Sequence, residues 1–232
     1  MYKNLSLLLP AKNEKACIDK VFRELEKINF NSRILLVVDS YKDNTLKFKK
    51  KKYKFKINKI ITNKKGYGAA VIEGIKKCKT QKVCIFNADG SFDPRSLKKM
   101  LKLSKKFNHV FCSRYLRNAG SDDDTFLTFI GNKIFTLTGK IFFNMKLNDI
   151  LYAYYLSDIA KVNKLKLKQK DFTIALELPL KIQNFNQTYS EIPSKERKRI
   201  SGKKKVREFV DGFKLLKYMV FFYFNHKLFK NK

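Results

Sequence analysis

The sequence predicts an α/β protein in which a central, mostly parallel sheet is flanked by helices. Short apolar runs alternate along the chain with segments whose apolar residues recur at helical spacing. Two of the runs, at 34–38 and 83–86, consist of apolar side chains only, which is typical of strands buried on both faces. Sheets built in this way bind ligands beyond the carboxyl ends of their strands, so polar side chains at those ends are the candidate functional residues.

The individual elements follow from the same patterns. We predict strands at 5–9, 34–38, 57–62, 83–86 and 110–112, and helices at 14–28, 66–77 and 94–106. Pro94 suits the first turn of the third helix. Beyond residue 124 we predict helices at 125–143 and 171–184 and a strand at 188–192.

Residues 206–232 combine helical spacing with many aromatic and lysine side chains. No Gly/Ser-rich linker divides the chain, so we predict one domain over 1–205 followed by an amphipathic helix over 206–232. Its apolar stripe consists of Val206, Phe209, Val210, Phe213, Leu216, Val220 and Phe224. Only Tyr218–Phe224 is apolar all round, which is shorter than the roughly 20 apolar residues of a membrane span, but the segment suits a helix lying in the interface of an anionic membrane. The alternative is that this stripe docks on the core.

The charge is strongly basic, with 52 Lys plus Arg against 20 Asp plus Glu and a net charge of +32. Such a charge attracts nucleic acid, anionic lipid or phosphorylated substrates, although compositional drift towards Lys explains it equally well. A nucleic-acid-binding protein would interleave its basic residues with exposed aromatic side chains. Here the aromatic residues fall mainly in apolar helical patterns and acidic residues gather at strand ends. We therefore predict no nucleic-acid partner.

Asp89 is the most informative polar side chain at a strand end. It follows the run at 83–86, and Asn87 points to the same side of an extended segment because side chains alternate. A carboxylate and an amide oxygen on one face suit Mg²⁺ or Mn²⁺, which take few protein ligands and complete their shells from diphosphate oxygens. The alternative is that Asp89 and Gly90 simply begin a turn.

Two other strand ends carry residues suited to phosphate or nucleotide. Asp39 directly follows the second strand. Residues 65–68, beginning with Lys65 and Gly66, lie between a strand and a helix, so that backbone amides could approach a phosphate. The third glycine of the dinucleotide fingerprint is replaced by Val71, which excludes an NAD-binding site.

Two charged runs complete the set of candidates. Asp122, Asp123 and Asp124 could supply a general base or a metal contact, and we expect at least one of them to cap the helix predicted from residue 125. Residues 195–205 form a mostly cationic loop that contains Arg197 and Lys203. This loop could clamp phosphate groups or could simply form a solvated surface.

Taken together, these positions resemble the family-two glycosyltransferases of the GT-A fold, and among them the dolichyl-phosphate mannosyltransferase-like branch. The matching segments occur in the family's order: 10–14 for P-x-x-N-E, 37–45 for V-D-D-x-S-x-D-x-T, 65–70 for its glycine segment, 87–89 for D-x-D and 113–115 for G-S-R-Y. The resemblance covers roughly residues 5–212.

The resemblance implies an inverting transfer of a sugar from a UDP- or GDP-linked donor. It places Pro10, Asn13 and Glu14 in the nucleotide pocket, Asp39 on the base, and Asp89 on a divalent ion, Mg²⁺ or Mn²⁺, that binds the diphosphate.

The acceptor implied by the resemblance is a polyprenyl phosphate or a glycan. For a phosphate acceptor, Arg114, Arg197 and Lys203 would position the anion and no base is needed. For a hydroxyl acceptor a base is needed, and the candidates are Asp122, Asp123, Asp124 and Asp149.

The chain departs from the family pattern at three places. Val38 replaces the first acid of V-D-D, and Asn87 replaces the first acid of D-x-D. Asn87 still offers an oxygen ligand but carries no charge, which predicts reduced metal affinity. The segment beginning at Asp149 lacks the family's Ser-Gly and Arg, so the mannosyl assignment is not carried over. A sugar-phosphate nucleotidyltransferase is the alternative enzyme, but residues 10–14 are not the Gly-rich, basic loop it would need. We predict a cytoplasmic protein, peripheral on the cytoplasmic face of the membrane.

Overall fold

The computed structural model describes residues 2–48, 53–202 and 207–230. Seven strands form one sheet: β1 (Leu5–Pro10), β2 (Arg33–Val38), β3 (Lys56–Ile61), β4 (Lys82–Ile85), β5 (His109–Ser113), β7 (Tyr155–Asp158) and β8 (Tyr189–Pro193). A separate two-stranded ribbon pairs β6 (Gly120–Ser121) with β9 (Lys195–Glu196). The helices are α1 (Lys15–Lys27), α2 (Tyr67–Lys77), α3 (Ser96–Leu103), α4 (Phe126–Phe143), α5 (Ile159–Lys164), α6 (Ile174–Asn184) and α7 (Glu208–Lys230).

The predicted α/β class with a mostly parallel sheet is confirmed. The strand order is β3-β2-β1-β4-β7-β5-β8, and every neighbouring pair is parallel except the two that β7 makes with β4 and β5. Neither β7 nor α5 was predicted from the sequence. β7 has only four residues, and pairing on both edges, with Leu156 opposite both Cys84 and Val110, makes it a strand.

The sheet is covered on both faces by helices. Along β1, Leu7 and Leu9 pack into the cluster that includes α1 and α3, while Leu8 packs into the opposite cluster with α2 and α6. Each such leucine, removed completely from water, stabilises the fold by about 1.5–3 kcal/mol. α2 lies so close to β1 that a Cβ at Gly74 would be 2.4 Å from Leu8 Cδ1. Burial on both faces explains the uninterrupted apolar runs.

α7 packs on the domain through a face other than the predicted stripe. Leu215 and Met219 are buried in the cluster with α2 and α6, and Tyr218 and Phe222 pack against it. The stripe itself faces outward, with Phe209 80% and Phe213 69% exposed, so the alternative that it docks on the core is wrong. Val206 lies outside the described residues. Within the described ranges, no helix combines the length and apolar character needed to cross a bilayer.

α4 continues this exposed apolar surface. It packs beside α7, where Phe143 contacts Phe222 and Tyr223. The large apolar side chains that α4 exposes are Phe126, Leu127, Phe129, Ile130, Ile134, Leu137, Ile141 and Phe142. The two helices therefore present one apolar face, which the sequence pattern had indicated for α7 alone.

Candidate active site

The carboxyl ends of β1, β2, β4 and β5 open into one cleft of about 590 Å³. α4 and α7 form its other wall. Of the residues predicted to bind or react, the cleft brings together Pro10, Glu14, Asp39, Gly66, Asn87, Asp89, Arg114, Asp123 and Asp124. Asn13 lines an adjoining depression that shares Glu14 with the cleft.

The loop after β1 is held in place by a buried carboxylate. Asn13 adopts a φ of 58°, a left-handed conformation that asparagine tolerates, and its backbone N–H lies 3.1 Å from both Asp43 oxygens. Thr45 Oγ1 accepts a hydrogen bond of 2.9 Å from the backbone N–H of Glu14. Asp43 and Thr45 are buried, so they shape the pocket rather than contact a ligand.

Asp39 forms an ion pair with Lys12 in the lining of the cleft. Its Oδ2 lies 3.1 Å from Lys12 Nζ, and both side chains line the cleft. Since the lysine faces the same space as the carboxylate, it can contribute a positive charge to an anionic ligand.

Asp89 stands at the centre of the cleft wall with one oxygen committed to its own loop. Oδ1 accepts hydrogen bonds from Ser91 N at 3.0 Å and Ser91 Oγ at 2.7 Å. Oδ2 faces Arg199 Nη1 at 3.8 Å, and Asn87 lines the same cleft. Asp89 therefore does begin a turn, as the alternative interpretation held, and it keeps a second oxygen for a ligand.

Gly66 and Gly68 allow the backbone of residues 169–171 to pack closely against them. A Cβ at Gly66 would lie 2.3 Å from the carbonyl oxygen of Lys170, and one at Gly68 would lie 2.2 Å from that of Gln169. The N–H of Ala69 donates to the Lys170 carbonyl at 2.9 Å. The proposed phosphate cradle is thus covered in large part by the 169–171 segment. Gly66 still lines the cleft, whereas Lys65 is exposed outside it.

Arg114 is the centre of a buried ionic network. It contacts Asp149 at 2.7 Å, Asp124 at 3.1 Å and Glu196 at 3.3 Å. Burial would lower the pKa of the guanidinium, but Asp149 and the other carboxylates hold it well above its usual value. Burial raises the pKa of the Glu196 carboxyl, against the opposing effect of Arg114. Arg114 therefore carries a permanent charge into the cleft wall.

The base candidates separate by accessibility. Asp149 is completely buried and its two oxygens accept from Arg114, so it cannot reach an acceptor hydroxyl. Asp122 lies on the surface with Lys195 at 3.1 Å and does not line the cleft. Asp123 and Asp124 do line it, paired with Arg199 and Arg114 respectively.

The expectation that one of these aspartates caps α4 is wrong. Thr125 is the N-cap residue, and its side chain accepts from the Thr128 N–H while the Thr128 side chain accepts from the Thr125 N–H. This reciprocal capping box satisfies two backbone donors. The aspartates are left to bind the cations around them.

Neither of the two basic residues that were predicted in the 195–205 loop to clamp phosphate is seen in the cleft. Arg197 does not line the cleft, because its Nη2 donates to Glu24 and to the carbonyls of Gly90 and Phe92. It fixes the loop after β4 in place. Lys203 lies outside the described residues.

Several lining residues were not predicted. They are Lys12, Asp171, Glu196, Arg199, Arg207, Glu208, Asp211 and Lys214. Those near the start of α7 are fixed by its neighbours, since Thr125 and Thr128 both donate to Glu208 Oε1 at 3.0 Å and Lys214 lies 3.2 Å from Asp171. The acidic residues in the first turn of α7 could have located the start of this helix from the sequence, because negative charge is favourable there.

The sequence profile of the family described as "Glycosyl transferase family 2" matches residues 6–164, which include the strand ends β1, β2, β4 and β5. The chain belongs to glycosyl transferase family 2. It is accordingly a glycosyltransferase, and the cleft at the carboxyl edge of its sheet is the candidate active site.

Solved structures with the same fold include glucosyl-3-phosphoglycerate synthase from Mycobacterium tuberculosis. Its complex with phosphoglyceric acid matches with a TM-score of 0.67 and 10% identity, over 95% of this glycosyltransferase and 80% of that chain. Its complex with Mn²⁺, UDP and glucosyl-3-phosphoglycerate matches with a TM-score of 0.67 and 12% identity, over 94% and 78%. The TM-scores establish a GT-A-like fold. Because the identities are low, the dolichyl-phosphate mannosyltransferase-like branch stays a hypothesis.

Proposed function

We propose that this glycosyltransferase transfers a sugar from a UDP-sugar, with inversion, using a divalent ion at Asp89. The observation that carries the proposal is the position of Asp89 Oδ2 in the cleft wall, between the loops that hold Asp39 and Arg114. The Mycobacterium tuberculosis enzyme of the same fold was crystallised with Mn²⁺ and UDP-glucose, which supports this choice of donor and ion.

The residues present fit a hard divalent ion. No group of three or more His, Cys, Asp or Glu side chains in the described part of the chain could enclose a metal. Asp89 and Asn87 offer one carboxylate and one amide oxygen, which suits Mg²⁺ or Mn²⁺ because these ions keep water and substrate oxygens in their shells. When bound, the ion would stabilise negative charge on the departing diphosphate.

The chain's own groups would bind and orient the substrates. Lys12 and Asp39 stand at the donor end of the cleft, and the Arg114 network stands towards α4. For a phosphate acceptor, the anion itself attacks the anomeric carbon and no protein base is required. For a hydroxyl acceptor, Asp123 and Asp124 are the predicted base candidates that line the cleft and could remove the proton.

A lipid-linked acceptor is supported by the apolar wall of the cleft. Leu127 and Phe135 of α4 and Phe209 and Leu215 of α7 line it, and the exposed apolar face of the two helices continues from there. A polyprenyl phosphate could place its phosphate near Arg114 and its chain along this wall. The phosphoglycerate acceptor in the compared structures is the alternative.

The acceptor assay uses purified protein, Mn²⁺ and a panel of UDP- and GDP-sugars. Each donor is offered with polyprenyl phosphate in vesicles, with 3-phosphoglycerate or with an oligosaccharide, and products are identified by mass spectrometry. We expect a glycosylated polyprenyl phosphate from a UDP-sugar. Product only with 3-phosphoglycerate or the oligosaccharide would reject the lipid acceptor, and product only from GDP-sugars would reject the donor.

The apolar face also supports peripheral contact with an anionic membrane. Lys133, Lys140 and Lys217 are exposed on the same two helices and would approach anionic head groups. Each phenylalanine that enters the lipid contributes about 1.5–3 kcal/mol.

Vesicle co-sedimentation tests the membrane contact with one double serine variant and one single serine variant as its control. Phe209→Ser with Phe213→Ser should reduce binding to anionic vesicles strongly. Phe185→Ser is the control, since Phe185 is also exposed, at 52%, but belongs to neither α4 nor α7. Equal binding of the wild type and the double variant would reject the membrane contact.

A further inference from the structure

Arg199 lies between two carboxylates of the cleft. Its Nη2 is 2.7 Å from Asp123 Oδ2, and its Nη1 is 3.8 Å from Asp89 Oδ2. All three side chains are at least four-fifths buried and line the cleft. Asp123 and Asp89 hold the pKa of the guanidinium above its usual value although burial opposes this. A permanent cation therefore faces the oxygen of Asp89 that its own turn does not use.

The backbone around Arg199 is fixed against the Asp89 loop. The N–H of Ile200 donates to the Asp89 carbonyl at 3.0 Å, and that of Arg197 donates to the Ser91 carbonyl at 2.8 Å. Gly90, at a φ of 82°, gives Ile200 the space it needs, because a Cβ there would lie 2.2 Å from Ile200 Cδ1. Arg199 can therefore leave Asp89 only by a change of its side-chain rotamer.

We propose that Arg199 is the resident counter-cation of Asp89 in the donor-free cleft, and that a divalent ion must displace it. This inference rests on the proposed metal role of Asp89. The ion needs Asp89 Oδ2, because Oδ1 is bound to Ser91, and the guanidinium faces that same oxygen. Two cations beside one carboxylate repel each other in a partly buried site.

The neutral side chain of Asn87 makes this competition decisive. A second acid at that position would compensate part of the added charge, and Asn87 provides none. The diphosphate of the donor brings that compensating negative charge. The free ion accordingly binds weakly, whereas the ion together with the nucleotide binds well, and Arg199 makes metal binding depend on the donor.

The experiment measures Mn²⁺ binding by the loss of the free-ion EPR signal, with and without UDP. In the absence of UDP, Arg199→Gln should bind Mn²⁺ about tenfold more tightly than the wild type, because one positive charge near Asp89 is removed. Lys198→Gln is the matched control: it removes the same charge from the neighbouring exposed residue and should leave the affinity unchanged. Arg199→Met gives the same reading if the glutamine variant does not fold.

The outcomes separate this inference from the proposal on which it rests. Equal or weaker Mn²⁺ binding by a folded Arg199 variant, with UDP-dependent binding intact in the wild type, would overturn the competition alone. Absence of Mn²⁺ binding in every variant, with and without UDP, would overturn both the competition and the metal role of Asp89.

Discussion

The guanidinium of Arg114 donates two parallel hydrogen bonds to Asp149, from Nε to Oδ2 at 2.7 Å and from Nη2 to Oδ1 at 2.9 Å. Asp149 is completely inaccessible, and Glu191 in turn accepts from its backbone N–H at 3.2 Å. This pair holds the end of β5 against the segment that precedes β7. Asp149 therefore acts on the cleft through the orientation of Arg114.

Asp149→Asn should destabilise the protein strongly. Removing one partner of a buried ion pair costs about 3–5 kcal/mol, and here Arg114 loses its closest and most buried carboxylate partner while Asp124 and Glu196 remain. Asp122→Asn breaks the exposed pair with Lys195 and should cost at most about 1 kcal/mol. Chemical denaturation of both variants measures the difference, and similar small losses would show that the Arg114–Asp149 pair does not hold the fold.

Gly68→Ala should displace the 169–171 segment. A Cβ there would meet the carbonyl oxygens of Gln169 at 2.2 Å and Asp171 at 2.7 Å, which backbone atoms cannot avoid by small shifts. Gly131→Ala is the control, since a Cβ at this position in α4 meets nothing within 4 Å and removes about 0.5–1 kcal/mol of helix penalty. We expect a lower melting temperature for the first variant and an unchanged or higher one for the second. A Gly68→Ala variant as stable as the wild type would contradict this close approach.

Burial of His109 makes the free energy of unfolding decrease as the pH becomes mildly acidic. Burial lowers its pKa to about 4, and its ring contacts Ser157 and Gln187. Because the folded state favours the neutral ring, the stabilisation is complete above the unfolded pKa of about 6.5 and is lost as the pH falls towards 4, by at most roughly 3 kcal/mol.

Denaturation at pH 7.5 and pH 5 tests this dependence. The wild type should lose stability between the two values, and His109→Gln should lose less, since it has no proton to take up. The same loss in both proteins would assign the pH dependence to other groups.

Asn87→Asp should strengthen metal binding. A second carboxylate facing the cleft would tighten the binding of Mn²⁺ in the presence of UDP by about tenfold, as an added charge near the ion. Asn58→Asp adds the same charge to an exposed position on β3 and should have no effect. Calorimetric titration compares the two, and equal affinities would place Asn87 outside the metal's surroundings.

The sequence predicted the parts of the fold that local patterns determine. The five predicted strands of the first half and their helices are present, because continuous apolar runs and helical spacing report burial directly. β7 was not predicted, since its four residues become a strand only through pairing with β4 and β5.

The site could be predicted only in part, because its residues contact partners that are distant in the sequence. The glycines at 66 and 68 fit the backbone at 169–171, about a hundred residues away, and no local signal distinguishes this from a phosphate loop. Arg197 and Arg199 lie in the same basic run, yet the first fixes the Asp89 loop and the second faces the cleft. Only the three-dimensional pairing of 197–200 with 89–91 separates them.

We propose that Asp89 holds the divalent ion that binds the donor diphosphate, and calorimetry with UDP is the decisive test of this role. Wild-type protein should bind UDP tightly with Mn²⁺ and weakly after chelation with EDTA. Asp89→Asn, which can keep the turn to Ser91, should lose the Mn²⁺-dependent part, whereas Glu73→Gln on α2 outside the cleft should keep it. Undiminished Mn²⁺-dependent binding of UDP by Asp89→Asn would show that Asp89 does not hold the ion.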